Sequence, residues 1–183
     1  MNGELMTKPN VLGISGSLRA ASLNTKLLRA AIQAFGDCTY TEANLRMPLY
    51  DGDLEDAEGI PDAARTLHAQ MQQADAIVIA TPEYNGNLPG VLKNALDWAS
   101  REKPMPMNGT PVAIMSATAG RTGGVMTQNS LRQCLNAFQP DLLQGPPVAV
   151  AAAQNAFDDD GHLIDERYQK AVAALMTKLH ARI

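Results

Sequence analysis

Between Gly13 and Thr25 the chain reads Gly-Ile-Ser-Gly-Ser-Leu-Arg-Ala-Ala-Ser-Leu-Asn-Thr. Ser15, Ser17 and Thr25 offer hydroxyls, Asn24 an amide and Arg19 a two-pronged cation. What such a set suits is holding an anion. Gly16 lets the backbone turn closely around it, and a helix beginning near Ser22 would add unpaired N–H groups and a positive dipole end. The same letters also fit an ordinary polar turn in which Ser22 or Asn24 merely caps the helix. Neither the G-x-G-x-x-G nor the G-x-x-x-x-G-K-[ST] spacing occurs here, so the phosphate of a mononucleotide fits better than that of a dinucleotide or a triphosphate.

Two further turns hold candidate binding groups. Thr81–Pro89 contains Pro82-Glu83-Tyr84-Asn85-Gly86, and Ser116–Gly124 is rich in Gly, Ser and Thr. Asn85-Gly86 also reads simply as a turn dipeptide. Glu83 has the chemistry of a general base, but a structural or pocket-bordering role suits it better. The three histidines lack the spacing or cysteine company of a metal site. Cys38 and Cys134 stand far apart with no C-x-x-C, as buried thiols in a reducing compartment do. No metal and no thiol nucleophile is expected.

The elements that must position these turns follow from hydrophobic periodicity. Val11–Ile14, Thr39–Ala43, Ala76–Ala80, Val112–Met115 and Val148–Ala152 read as five short strands. Helical stripes lie between them: Leu27, Leu28, Ala31, Ile32 and Phe35; Leu67, Met71 and Ala74; Val91, Leu92, Ala95, Leu96 and Trp98; then Met126–Phe138 and a closing helix over Ile164–Ile183. Asn44–Pro61 reads as a long acidic loop, and Pro104–Gly109 as a connector rich in Pro and Met. Alternating strands and helices imply a doubly wound parallel α/β sheet with helices on both faces. Five strands suit the flavodoxin-like order 2-1-3-4-5, with ligands at the carboxyl ends of the first and third strands. Residues 1–183 are expected to form a single domain, with 1–8 a flexible N-terminus.

Bulk properties narrow the function classes. The chain has 183 residues, 45% of them hydrophobic, and a formal net charge of −4 with its acids scattered. That argues against nucleic acid or an anionic membrane as partner. No apolar run approaches the roughly 18 residues of a membrane span, and Met1–Asn10 lacks a secretory h-region. A cytoplasmic location is expected.

The sequence resembles the NAD(P)H-dependent FMN reductase family, including its bacterial quinone and chromate reductase members. The resemblance rests on Gly16-Ser17-Leu18-Arg19 with Ser22 and Asn24, on Thr81-Pro82-Glu83-Tyr84-Asn85-Gly86, and on Pro89-Gly90-Val91-Leu92-Lys93-Asn94-Ala95-Leu96-Asp97-Trp98. It implies that Ser15, Ser17, Arg19, Asn24 and Thr25 hold the FMN phosphate. By the same resemblance Pro82, Glu83, Tyr84, Asn85 and Gly86 border the flavin ring, and Ser116, Ala117, Thr118 and Gly120 close the other side. The implied activity passes hydride from NADPH or NADH through FMN to a small acceptor: a quinone, free flavin, an azo compound or chromate. Two other readings stay open, a one-electron carrier of the flavodoxin type and a flavin-binding regulatory protein without turnover. Aromatic residues make up only 4% of the chain, and neither FMN loop has two to sandwich a ring, which favours an open ring face. The family implies a homodimer or homotetramer. The loop Asn44–Pro61, the helix after Leu88 and the Pro104–Met107 stretch are candidate contacts.

Overall fold

The computed structural model describes residues 8–183; the expected flexible N-terminus, Lys8 excepted, lies outside them. Among the described residues there are six strands: β1 (Asn10–Ser15), β2 (Thr39–Glu42), β3 (Ala76–Thr81), β4 (Pro111–Ala117), β5 (Asp141–Leu142) and β6 (Val148–Val150). All are parallel, in the order β2-β1-β3-β4-β5, with β6 also paired to β4. The helices are α1 (Leu23–Phe35), α2 (Gly52–Glu58), α3 (Asp62–Gln73), α4 (Gly90–Ala99), α5 (Val125–Leu135) and α6 (Glu166–His180). Short 3-10 turns follow at Asn136–Phe138 and Ala153–Asn155.

Strand periodicity divides the core. Leu12, Ile14, Ile77, Ile79, Val112 and Ile114 point to the face covered by α3, α4 and α5. Val11, Ala76, Val78, Ala80, Ala113, Met115 and Ala117 point to the face covered by α1 and α6. Because β1, β3 and β4 are covered on both faces, their sequences are continuous apolar runs rather than alternating ones. Each fully buried Ile or Leu contributes about 1.5–3 kcal/mol through removal from water. Gly13, inside β1, gives room to the Tyr40 ring: a Cβ there would lie 2.7 Å from it. Burial raises the pKa of that phenol well above its ordinary value, so it stays protonated and donates to Glu42 at 3.2 Å.

The secondary-structure elements differ from the sequence expectation in two regions. The fifth sheet position is split: β5 pairs with Pro111 and Val112, β6 with Met115 to Ala117. Pro146 and Pro147 lie in the gap, where a proline has no N–H to give a ladder. The expected loop Asn44–Pro61 contains α2, capped by Asp51, whose side chain accepts from the Asp53 N–H. That helix buries no residue and so shows no apolar stripe.

The Asn44–Pro61 segment is clasped to its own chain. The Pro48 carbonyl accepts from Trp98 Nε1 at 2.8 Å and Asn94 Nδ2 at 2.9 Å, and the Tyr50 N–H donates to Asn94 Oδ1 at 2.8 Å. The Trp98 ring, itself fully buried, meets the Tyr50 ring edge-on at 5.0 Å. Arg101 donates to Glu55 at 2.8 Å and holds its carboxyl below the usual range. Met107, expected among the exposed apolar groups, is 1% exposed and belongs to the core. Among the described residues no helix is long and apolar enough to cross a membrane.

Candidate functional site

A cleft of about 670 Å³ opens at the carboxyl ends of β1, β3 and β4, where a doubly wound sheet binds ligands. Its walls are Ser17, Arg19 and Ala21–Asn24 from the turn after β1, Pro82–Tyr84 from the turn after β3, and Ala117–Gly120 with Thr122 from the turn after β4. The first two turns start in contact. The Gly16 N–H donates to the Ala80 carbonyl at 2.8 Å, and a Cβ on Gly16 would lie 2.6 Å from Thr81 Oγ1. Only glycine fits there.

The turn after β1 leaves hydrogen-bond donors available on the cleft side. Ser22 is the N-cap of α1, its Oγ accepting from the Thr25 N–H at 3.2 Å. The N–H groups of Leu23 and Asn24, in the first helical turn, have no intrahelical acceptor, and both residues line the cleft. Arg19 is exposed and has no carboxylate partner among the described residues. Arg46 braces the turn from outside, donating to the Leu18 carbonyl at 3.1 Å.

Three residues expected on the phosphate have side-chain partners inside the protein. The Asn24 amide donates to the Ala117 carbonyl and accepts from the Ala117 N–H, both at 2.9 Å, in the protein interior. Its side chain ties α1 to β4, and only its backbone N–H remains for an anion. Ser15 and Thr25 share a hydrogen bond of 2.8 Å behind the cleft wall.

The turn after β3 is a tight one. Tyr84 and Asn87 exchange two backbone hydrogen bonds of 3.0 and 3.1 Å, and Asn85 and Gly86 both have positive φ, 53° and 74°. That is a type I′ turn, for which Asn-Gly is the favoured pair. Pro82, Glu83 and Tyr84 line the cleft, while Asn85 and Gly86 form the exposed tip beyond it. A Glu83 carboxylate oxygen accepts from the N–H groups of Met126 and Thr127, at 3.1 and 3.2 Å. These open α5, which has no side-chain cap of its own.

In the turn after β4, Ala117, Thr118 and Gly120 face the cleft and Ser116 does not. Ser116 is fully buried; its hydroxyl donates to the Gly123 carbonyl at 2.6 Å and accepts from Gln128 at 2.7 Å. A wall that sequence reasoning missed is Gln154, just after β6; no motif marks it. Asp158, Asp160 and His162 approach within 4.8 Å of one another on an exposed turn that contributes nothing to the cleft.

An exposed arginine, the Ser17 hydroxyl and a helix N-terminus fit a phosphate. A cleft of this volume with a proline- and tyrosine-lined far side fits a flat heterocycle. The sequence model described as NADPH-dependent FMN reductase matches residues 9–155. The chain belongs to the NADPH-dependent FMN reductase family. It is 44% identical over 164 residues to an NAD(P)H-dependent FMN reductase of Pseudomonas aeruginosa, covering 88% of each chain. To a quinone reductase of Escherichia coli it is 37% identical over 163 residues, 87% of each. Its structure is similar to that of FerB, a flavoenzyme NAD(P)H:(acceptor) oxidoreductase of Paracoccus denitrificans, with a TM-score of 0.84, 27% identity and coverage of 94% and 96%. Like the rest of its family, the chain is an oxidoreductase whose chemistry joins FMN to NAD(P)H.

Proposed function

We propose that this chain holds FMN in the cleft and reduces a small organic acceptor, a quinone or free flavin foremost, with azo compounds and chromate as further candidates. The observation that carries this is the cleft itself, which sets the free N–H groups of α1 and Arg19 at one end and the Pro82–Tyr84 turn at the other. When bound there, FMN supplies the two-electron chemistry, accepting hydride from NAD(P)H and releasing it to the acceptor.

The chain's own residues bind and orient. Ser17, Arg19 and the first-turn N–H groups of α1 hold the phosphate. Pro82, Glu83 and Tyr84 border the ring, with Asn85 and Gly86 at its edge, and Ala117, Thr118 and Gly120 line the opposite wall. Ser15, Thr25, Asn24 and Ser116 fix the positions of those groups from behind. Tyr84 is the one aromatic side chain in the lining among the described residues, so one face of a bound ring stays open to donor and acceptor in turn. That favours an enzyme over a carrier with a covered ring, and it gives ping-pong kinetics.

The functional unit in this reading is one domain in the cytoplasm, assembled as a homodimer or a pair of dimers. Leu18, Tyr84 and Met126 are exposed around the cleft mouth, and Leu49 lies on the neighbouring segment. Apolar groups so placed favour a two-fold contact. The deciding experiment mixes FMN-loaded protein with NADPH or NADH under stopped flow, then adds benzoquinone, free FMN, an azo dye or chromate. Rapid bleaching of the flavin absorbance and reoxidation by a quinone support the reading; flavin that neither nicotinamide reduces rejects it.

A further inference from the structure

Gln154 reaches the cleft from outside the three turns that follow β1, β3 and β4. Backbone hydrogen bonds place it there. The Thr118 N–H donates to the Val150 carbonyl at 3.0 Å, the Ala152 N–H to the Gly120 carbonyl at 3.1 Å, and the Ala153 N–H to the Thr118 carbonyl at 3.0 Å. Between them Ala152 is held at φ 44°, in the left-handed region that a residue with a Cβ seldom occupies without a surrounding structure that enforces it. The chain thus turns sharply at Ala152 and sets the 3-10 turn Ala153–Asn155 against the turn after β4. The Gln154 side chain is exposed at the cleft and, among the described residues, has no hydrogen-bond partner, while the backbone N–H groups of Ala153 and Asn155 on either side are bonded to Thr118 and Ala152.

The direction of approach identifies the end of the cleft that Gln154 serves. Ala153 and Ala156 are buried in the core layer that also contains Leu27, Leu28 and Met176, between the sheet and helices α1 and α6. Gln154 therefore comes from the face of the sheet that carries α1, whose N-terminus is the anion-binding element. The Pro82–Tyr84 turn leads instead into α4, on the opposite face. We infer that the Gln154 amide is a further binding residue for the phosphate end of the flavin nucleotide. It donates N–H to phosphate oxygen beside Arg19 and adds no charge of its own. The inference rests on the proposed FMN site.

Titration of FMN and of riboflavin, followed by flavin fluorescence, tests it on wild type, Gln154→Ala, Gln154→Glu and Gln154→Lys. Loss of one hydrogen bond to a charged group should raise the FMN dissociation constant of Gln154→Ala by roughly 10-fold, with riboflavin unchanged. Gln154→Glu should bind FMN more weakly than Gln154→Ala, most visibly at low salt, and Gln154→Lys more tightly than wild type. An unchanged FMN constant in Gln154→Ala, or an equal loss for riboflavin, overturns the assignment while the FMN site stands. A wild type that binds neither flavin overturns the FMN site and this inference with it.

Discussion

Residues 15–25 at the end of β1 and residues 116–124 at the end of β4 are both rich in glycine, serine and threonine, and both close a buried parallel strand. Their polar groups are used in opposite ways. After β1, the Arg19 side chain and the first N–H groups of α1 face the cleft without internal partners, and the Ser17 hydroxyl, which accepts only from the Arg19 N–H at 3.3 Å, keeps its own proton to donate. After β4, the Ser116 hydroxyl is bonded to Gly123 and Gln128, and Gly123 and Gly124 turn the chain with positive φ into α5. In the proposed site the first turn is the binding surface. The second is mostly a joint, lining the cleft only through Ala117 to Gly120 and Thr122. Composition alone does not separate them, because a free donor and a bonded one are the same letter.

The largest effect should come from the joint. A Cβ on Gly123 would overlap the Ala149 carbonyl, and its φ is 64°. Backbone strain of that kind costs on the order of 1–3 kcal/mol, and forced overpacking typically adds about 1–3 kcal/mol. Gly123→Ala should thus lose about 2–6 kcal/mol in urea unfolding, and wild-type stability would mean the turn is free to rearrange. Asn24→Ala comes next. It leaves the buried N–H and C=O of Ala117 unpaired, at about 1–3 kcal/mol for each group before relaxation. A net loss of about 2–3 kcal/mol in unfolding free energy is expected, whereas a pure loss of FMN affinity at full stability would return Asn24 to the phosphate. Arg19→Ala should behave in the opposite way, weakening FMN binding by about 1.5–3 kcal/mol and more so at low salt. Its unfolding midpoint without flavin should not move. An unchanged FMN affinity would show that the α1 N-terminus suffices.

Much of the fold was legible because burial on both faces forces uninterrupted runs such as Ala76–Ala80, and helices between them force a parallel sheet. The split fifth strand was harder to read, since β5 is two residues long and has no periodicity to detect. Helix α2 was hidden for a related reason: it lies on the surface, capped by Asp51 and pinned through Glu55, without an apolar stripe. At the site, the two motif-bearing turns could be found from their residue types. What could not be read was which donors are already bonded, as Asn24 is to a residue 93 positions away. Gln154 escaped notice because only the fold brings the segment after β6 to the cleft.

Glu83 joins the two kinds of region. It lines the cleft, yet its carboxylate receives the first N–H groups of α5, acting as the cap that Gly124 cannot supply. As a cap, Glu83→Ala should cost about 0.5–2 kcal/mol of stability. Glu83→Gln keeps an acceptor oxygen and loses only the charge at the helix N-terminus, about 0.3–1 kcal/mol at low ionic strength. Amide exchange at Met126 and Thr127 should quicken in Glu83→Ala more than elsewhere in the sheet or helices. If Glu83 were a general base, Glu83→Gln would instead slow turnover by roughly 100-fold or more with stability and amide protection intact. Measuring turnover, unfolding and exchange on the same two variants separates the roles. The cap predicts near-normal turnover in Glu83→Gln, and a stability deficit that shrinks as salt screens the charge.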